Sequence, residues 1–451
     1  MGLSPNLCRS DGRQCCLGSA RTPDPLRNHH RSFVGDLHRN LLLEGGAPEV
    51  ALGREALVTK FDPPLQFPLQ LSLYSMPPSS PPLPLTQTAQ PRLMSLDALR
   101  GFDMFWIVGA EELIRGLQKF SSGGGLLGMI AEQLHHKAWA GFHFEDLIFP
   151  LFVFIAGVSL VFSLSKTLQQ TDRRTAAIRI LKRSALLYFI GILYYGGFST
   201  PFEKIRLLGV LQRIALCYLF AGLLFCYLKP KALIGACAGL LLGYWAMMSW
   251  IPVPGHGTGN FAEGANLANY VDQQFLPLRK NDGDHDPEGL LSTLPAIASC
   301  LLGVFAGLIL QNPALTDRKR VLRLVILGLG CLAAGWLWHL NFPVIKKIWT
   351  SSFVLVAGGY SYLFLAAFYQ VIDVWKFQKW ALPLVWIGVN PITLYFGGHF
   401  IDFEAMAKLF FGGPIGAAFG PYQELVMALA TLGFGFAFLR YLYQRRIFLR
   451  V

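Results

Sequence analysis

The chain has 451 residues, of which 53% are hydrophobic and only 15% are charged, with a formal net charge of +12 at pH 7. Charged residues make up about 25% of an ordinary soluble domain. This composition therefore excludes a soluble domain of the ordinary kind. The positive charges fall mainly in short connections between apolar runs, as membrane orientation requires, and we therefore exclude nucleic acid as a partner.

The N-terminal segment, residues 1–91, differs from the rest of the chain. It mixes arginine, glycine, proline and serine without a helix or strand period, and residues 62–91 are rich in proline. We expect a segment that is disordered or not native, without a signal peptide. Translation is expected to begin later, for instance at Met76. Residues 92–451 then form the functional domain.

From residue 98 onward, apolar runs recur to the C-terminus, and a membrane-spanning helix needs roughly 20 such residues. They predict an all-α, polytopic membrane protein with about ten transmembrane helices around a central polar cavity. The runs are 98–117, 146–165, 178–197, 207–228, 231–250, 290–311, 321–340, 348–372, 381–400 and 422–442. Residues 403–420 are shorter and rich in glycine, and we expect them to be re-entrant or interfacial.

Orientation follows from the placement of lysine and arginine, which are enriched on the cytoplasmic side. If the spans alternate, the basic connections fall on one side of the membrane, and both termini are then cytoplasmic. These connections are 166–183, 229–231, 318–323, 376–379 and 445–450. We expect the protein to lie in a bacterial inner membrane.

Candidate chemistry concentrates between residues 135 and 165. His135, His136 and His143 precede the second span, and Glu145 and Asp146 open it. Carboxylates at the mouth of a spanning helix are costly and usually functional. Histidine titrates near neutral pH, so this stretch places proton-transfer chemistry at one end of the bundle.

Other polar residues interrupt the apolar runs. Arg100 lies three residues after Asp97, so the two can pair on one helix face. Gln212 and Arg213 lie inside the fourth span, and a buried arginine needs an anionic partner, which is either a ligand or a carboxylate such as Asp103.

The ninth span is broken by Asn390-Pro391 and ends at His399. Proline inside a span frees a backbone carbonyl, which needs a polar neighbour. Either a plain kink or a polar cavity lined by Asn390 and His399 would explain this pattern.

The loop 251–289 contains Asp282, Asp284, His285, Asp286 and Glu288. Their spacing fits no familiar metal-binding loop, and Asp-Pro more simply begins a turn and helix. The cysteines have no zinc-site spacing either. We expect no metal cofactor.

Six short motifs then occur in order, at 92–101, 146–154, 209–213, 286–290, 348–354 and 390–392. Together they resemble the heparan-alpha-glucosaminide N-acetyltransferase family and its bacterial transmembrane acyltransferase relatives. The resemblance implies transfer of an acetyl group from cytoplasmic acetyl-CoA to an amino sugar of the glucosamine type on the far side of the bilayer. It also implies a homodimer.

The family's catalytic histidine lies in a His-x-x-Trp-x-Gly segment, here His136-Lys-Ala-Trp139-Ala-Gly141, so the role carries to His136. Two features depart from the animal enzymes. Glu111 stands where they place a functional asparagine, and we expect no counterpart here of their large extracytoplasmic N-terminal domain and first span. The bacterial relatives therefore fit better.

These considerations assign three sets of residues. The catalytic set is His136, Asp146 and Glu111, with His136 as the base or a transient acetyl carrier and His135 as the competing candidate. The acetyl-CoA set is Arg100, Gln212, Arg213, Ser351, Ser352 and Asn390. The sugar set is Trp139, Glu145, Asp286, Glu288, Trp349 and His399.

Two rival functions remain at this stage. Many spans, buried charges and a proline-broken helix also suit a transporter of sugars or related small molecules. An accessory membrane subunit without turnover is the third reading. The natural acceptor, and direct against ping-pong transfer, stay open.

Overall fold

A computed structural model describes residues 93–118, 126–199, 201–398 and 401–447, with the backbone alone at 110–118, 126–127, 131, 198 and 421. The expectations for residues 1–91, and for His399, lie outside the described residues. Glu111 falls where only the backbone is described. All described residues belong to one unit.

The fold is all-helical, as the sequence predicts. The helices are α1 (Met94–Gln118), α2 (Leu126–Gln133), α3 (Glu145–Gln170), α4 (Arg173–Tyr194), α5 (Val210–Tyr227), α6 (Pro230–Trp250), α7 (Leu267–Phe275), α8 (Thr293–Gln311), α9 (Asp317–Trp338), α10 (Ser351–Phe368), α11 (Leu382–Gly388), α12 (Pro391–Gly397), α13 (Phe403–Phe411), α14 (Gly413–Ala418) and α15 (Gln423–Gln444). A π-helical turn, Tyr369–Val374, continues α10.

Among the described residues, seven helices are long and apolar enough to cross a membrane: α3, α5, α6, α8, α9, α10 with its π-helical turn, and α15. The pair Lys379–Gly388 and Pro391–Gly397 bends by 60° and makes an eighth if it forms one span. This bend confirms the predicted break at Asn390-Pro391. The other two predicted spans correspond to α1 and α4, which carry several charged residues each. A count of ten stays a prediction.

The helix α3 lies at the centre of the bundle and packs against α1, α5, α8 and α10. Its residues from Leu147 to Leu164 bury a nearly continuous apolar surface. The helices α6, α9 and α15 leave most of their apolar surface exposed, as expected of helices that face lipid. Asp146, at the N-terminal end of α3, is accordingly fully buried.

Close packing of α3 against α8 depends on glycine. A Cβ at Gly157 would lie only 2.0 Å from the Cys300 carbonyl oxygen, and one at Gly303 only 1.9 Å from the Phe154 carbonyl oxygen. These residues let the two backbones approach directly, as small residues do between membrane helices.

We expect Gly157→Ala to lower the free energy of unfolding by about 1–3 kcal/mol, because overpacking forces the helices apart. Gly239→Ala on α6 is the matched control, since a Cβ there meets nothing within 4 Å. It should be neutral or stabilising, by up to about 1 kcal/mol, from helix propensity. Unfolding in mixed micelles measures both. Equal effects of the two substitutions would contradict the packing described here.

The predicted histidines and the predicted basic cluster lie near opposite ends of α3. A helix of 26 residues is about 39 Å long. The loop that carries His136 precedes its N-terminus, and Arg173 begins α4 just after its C-terminus. Asp172 makes this tight turn by accepting hydrogen bonds from the Arg174 and Thr175 amides. The histidines and the basic 173–183 cluster therefore begin at opposite ends of α3.

Candidate active site

Three loops meet beside the N-terminus of α3. Ala140 pairs with Ile345 in an isolated bridge, and the Gly141 amide donates to the Val344 carbonyl over 2.8 Å. The Trp139 indole donates to the Phe261 carbonyl over 2.9 Å. Residues 134–144, 251–266 and 339–350 thus form one surface at this end of the bundle.

His136 and Asp146 lie together on this surface. The Nδ1 of His136 is 3.2 Å from Oδ1 of Asp146, and the histidine side chain is 60% exposed whereas the carboxylate is fully buried. A carboxylate at Nδ1 orients the ring and leaves Nε2 to face an incoming ligand. The arrangement suits a histidine base with a positioning carboxylate when Nδ1 carries the ring proton.

The backbone around Asp146 holds its carboxylate in place. Its Oδ2 accepts hydrogen bonds from the Lys137 and His143 amides, over 3.2 and 3.0 Å. Gly141 turns the chain between these residues with a φ of +123°, which favours glycine. The spacing of the His-x-x-Trp-x-Gly segment is therefore the spacing of a turn that wraps Asp146.

Lys346 completes the group, and the sequence analysis missed it. Its Nζ lies 3.0 Å from Nδ1 of His136 and 3.5 Å from Oδ1 of Asp146. Burial lowers the pKa of Lys346, although the charges of Asp146, Glu145 and Glu288 act to raise it. The two lysines just before the motif at 348–354 were the only signal available in the sequence. Lys346 thus contacts both His136 and Asp146.

Arg206 forms a second buried cluster with Asp286 and Glu288. Its Nε and Nη2 donate to both Asp286 oxygens over 3.0 and 2.7 Å, and Nη2 also donates to Glu288. Burial disfavours the guanidinium charge, but the hydrogen bonds to Asp286 and the charge of Glu288 raise the pKa of Arg206. Burial raises the pKa of Glu288. Two predicted sugar-binding carboxylates are thus engaged by an arginine that the prediction left out.

The Arg213 side chain is fully buried, and Asp103 is not its partner. The Nη2 of Arg213 donates to the Gly289 carbonyl over 3.2 Å and to the Ser292 hydroxyl over 2.5 Å. The described residues include no hydrogen bond between Arg213 and Asp103, whose carboxylate is buried on α1 near Glu145. The suggested Asp103–Arg213 pair is therefore wrong, because Gly289 and Ser292, just before α8, supply the partners of the arginine.

Trp349 lies against Arg213, with the guanidinium carbon 5.0 Å from the ring centroid. Its indole donates to the Ser299 hydroxyl over 3.1 Å, and the residue is only 1% exposed. Its φ of +51° is unusual for a bulky residue and costs of order 1–3 kcal/mol. Strain of this kind clusters at functional sites. The residue packs beneath the surface that carries His136.

Asp272 on α7 supports the loop that carries Asp286 and Glu288. It is 1% exposed and accepts hydrogen bonds from the Leu290 and Asp286 amides, over 2.8 and 3.4 Å. Burial raises the pKa of Asp272 from 3.8 to about 6. Because the folded-state value is the higher one, the folded state binds the proton more tightly than the unfolded state does.

The contribution of Asp272 to stability should therefore fall as pH rises from about 4 to about 6 and stay constant above about 7. Thermal unfolding of the wild type and of Asp272→Asn at each pH measures it, because the difference cancels the other titrating groups. A difference that is constant with pH, or that grows as pH rises, would refute the assignment.

The residues predicted to bind acetyl-CoA divide into two groups. Gln212, Ser351 and Ser352 are fully buried near the start of α5 and α10. The Ser351 hydroxyl donates to the Leu241 carbonyl and that of Ser352 to the Pro343 carbonyl. With Arg213, they lie on the His136 side of the bundle.

Arg100 and Asn390 form the other group. Arg100 pairs with Asp97 over 3.0 Å, as predicted, and donates to Ser159 over 2.7 Å. The Asn390 amide donates to the Ile447 carbonyl over 3.0 Å. Ser159 lies 13 residues after Asp146, so Arg100 is about 20 Å further along α3. The predicted acetyl-CoA residues therefore extend through the bundle.

Comparison with known proteins bears on this arrangement. The family described as "Heparan-alpha-glucosaminide N-acetyltransferase, catalytic" matches residues 92–328, which is more than half of the chain. The chain belongs to this family. The match confirms the resemblance drawn from the six motifs, and it includes His136, Asp146, Arg206 and Arg213.

Two curated heparan-alpha-glucosaminide N-acetyltransferases are similar to the chain. The Homo sapiens protein is 28% identical over 363 residues, covering 68% of this chain and 52% of that protein. The Mus musculus protein is 28% identical over 326 residues, covering 59% and 49%. This chain spans about half the length of the curated relatives it matches. Family membership and the apolar helices together identify an integral, multi-pass membrane protein.

Proposed function

We propose that the chain transfers an acetyl group from acetyl-CoA on the cytoplasmic side to the amino group of a glucosamine-type sugar on the opposite side. The observation that carries the proposal is the His136–Asp146–Lys346 group at one end of a bundle whose basic connection, 173–183, follows the other end of α3. Family membership supports the acetyltransferase activity.

The proposed reaction is an acyl transfer. The sugar amine attacks the thioester carbonyl carbon, the new C–N bond forms, and the C–S bond breaks to release CoA. In this step Nδ1 of His136 carries a proton toward Asp146, and Nε2 accepts the proton that the amine loses. In the ping-pong variant His136 itself carries the acetyl group before the amine attacks.

The remaining predicted residues take supporting roles in this proposal. Trp139 and Glu145 hold the sugar, with Asp286 and Glu288 acting through Arg206 to shape the loop beside it. The acetyl-CoA nucleotide lies toward Arg100, and its thioester reaches the surface near Arg213 and Trp349. Glu111 and His399 stay assigned by sequence alone. A homodimer and a bacterial inner membrane with both termini cytoplasmic complete the proposal.

Sealed proteoliposomes loaded with acetyl-labelled acetyl-CoA test the proposal against transport. With glucosamine added outside, we expect labelled N-acetylglucosamine outside, free CoA inside and no accumulation of sugar in the lumen. Glucose in place of glucosamine is the control, because it has no amine. Sugar accumulation without acetylation would favour the transporter that the broken α11–α12 pair also suits. No turnover of any kind would favour an accessory subunit.

A panel of acceptors then narrows the substrate. Glucosamine, a cell-wall amino sugar and a sugar that offers only hydroxyls are offered under the same conditions. Acetylation of the amino sugars alone supports N-acetyl transfer with His136 as the base for the amine. Acetylation of the sugar that offers only hydroxyls would indicate O-acetyl transfer.

A further inference from the structure

A second polar cluster lies on the loops beside the candidate active site and has no role in the proposed transfer. Glu263, Asp282 and His285 each direct one ligand atom toward the others, and these atoms lie within 4.8 Å of one another. Glu263 comes from the 251–266 loop, so sequence spacing within 282–288 could not reveal the group. The three residue types are those that bind divalent transition metals.

The His285 imidazole is the observation that points to a ligand. The residue is 5% exposed, and its Nε2 is buried without a hydrogen-bond partner. Nε2 lies 3.8 Å from the Glu263 carboxylate and 3.9 Å from that of Asp282, too far for a hydrogen bond. A buried imidazole nitrogen without a partner is costly, and a metal ion between it and the two carboxylates would satisfy it.

The surroundings fix the histidine and Asp282 in orientations suited to binding. Asp284 lies 2.6 Å from Nδ1 of His285, the carboxylate contact that metal-binding histidines commonly make through their second nitrogen. The side-chain amide of Asn281 donates to Oδ1 of Asp282 over 3.0 Å, which leaves Oδ2 to face the cluster. The Asp282 amide closes the turn on the His285 carbonyl.

We propose that Glu263, Asp282 and His285 form a binding site for a divalent transition metal, with Zn²⁺ preferred. One nitrogen and two oxygens with a fourth position for water match a four-coordinate zinc centre. The imidazole nitrogen disfavours Mg²⁺ and Ca²⁺, which take oxygen ligands. The site is separate from the acetyl-transfer residues, so it does not depend on the proposed function.

Lys347 is the competitor for this site. Its Nζ lies 2.7 Å from Oε1 of Glu263 and 3.0 Å from Oδ2 of Asp282. Bonds from zinc to oxygen are about 2.0–2.2 Å, so exchange of the ammonium for zinc draws the three ligands together. In the structure, the ammonium lies 5.9 Å from the centroid of the Trp139 ring. Repulsion from a bound metal would move it from this position.

Calorimetric titration with Zn²⁺ tests the proposal on the full chain, after treatment with a chelator and without a histidine tag. Cys8, Cys15 and Cys16 are replaced by serine throughout, because thiolates outside the cluster also bind zinc. We expect one high-affinity Zn²⁺ per chain, and no comparable binding of Mg²⁺ or Ca²⁺.

Variants separate this site from adventitious binding. His285→Ala and the milder Glu263→Gln should each weaken binding at least about 100-fold, since even outer carboxylates are worth 10–100-fold. His256→Ala, on an exposed histidine of the same loop, should leave affinity unchanged. Lys347→Met should tighten binding by about tenfold, because two ion pairs of the ammonium no longer compete.

Thermal unfolding of the same variants with and without Zn²⁺ gives a second readout, because a ligand that binds the folded state raises its stability. The proposal is overturned if the wild type binds no zinc at one equivalent, if Glu263→Gln and His285→Ala bind it as the wild type does, or if Lys347→Met binds it no more tightly.

Discussion

Replacing His136 by alanine is expected to slow acetyl transfer to glucosamine by about 10²–10⁴-fold, the usual contribution of a positioned acid–base group. The reason is local: Nδ1 lies 3.2 Å from Oδ1 of the buried Asp146, which leaves Nε2 as the base in the proposed transfer. Because the side chain is 60% exposed, stability should change by no more than about 0.5 kcal/mol. Initial rates in loaded proteoliposomes, at saturating glucosamine, measure the effect.

His135→Ala is the matched control, since it removes a neighbouring exposed imidazole that is the competing candidate. Its rate should stay within about threefold of the wild-type rate. This change is far smaller than the loss expected when a catalytic base is removed. The residual rate of His136→Ala should also rise with external pH, because hydroxide then supplies the free amine that the imidazole no longer generates. A wild-type rate for His136→Ala, or the larger loss in His135→Ala, would remove His136 from the mechanism.

Replacing Arg206 by methionine is expected to lower the free energy of unfolding by about 3–5 kcal/mol, the cost of leaving buried charges unpaired. Asp286 is fully buried and the Glu288 side chain is 11% exposed, so neither carboxylate can turn to solvent. The loss should shrink as pH falls, because the stranded carboxylates can then take up protons.

Lys408→Met serves as the control for Arg206→Met. Lys408 pairs with Glu404 on α13, but both side chains are more than half exposed, and such pairs are worth about 1 kcal/mol or less. Adding Asp286→Asn and Glu288→Gln to Arg206→Met should restore part of the lost stability, since the repelling charges are gone. Detergent unfolding titrations provide the comparison. Equal losses in Arg206→Met and Lys408→Met would mean that the cluster is not a support of the loop.

Local features of the sequence predicted much of the fold. Runs of apolar residues identified the helices, because burial in lipid requires continuous hydrophobic length. Asn390-Pro391 predicted the 60° break, and the spacing of Asp97 and Arg100 predicted their ion pair. Each of these depends on residues that are close together in the chain.

The candidate site could be predicted only in part, for the same reason. His136 and Asp146 are ten residues apart, in one loop and the start of the helix that follows it, so a short stretch of sequence contains both. Lys346 and Arg206 join their partners across 210 and 80 residues, and no periodicity encodes such contacts. The wrong Asp103–Arg213 pairing has this origin too, since the Arg213 partners Gly289 and Ser292 come from a distant loop.

In the proposed mechanism, acetyl-CoA crosses the bundle with its thioester near His136 and its nucleotide toward the basic end. A cryo-EM structure of the chain with a non-hydrolysable acetyl-CoA analogue tests it most directly. We predict that the acetyl group lies beside His136, where an amine hydrogen-bonded to Nε2 would be about 3–3.5 Å from the carbonyl carbon. The adenine nucleotide should lie beyond Arg100. A ligand bound wholly at the end of α3 opposite His136, with the space between Arg213 and Arg100 filled by side chains, would contradict the account.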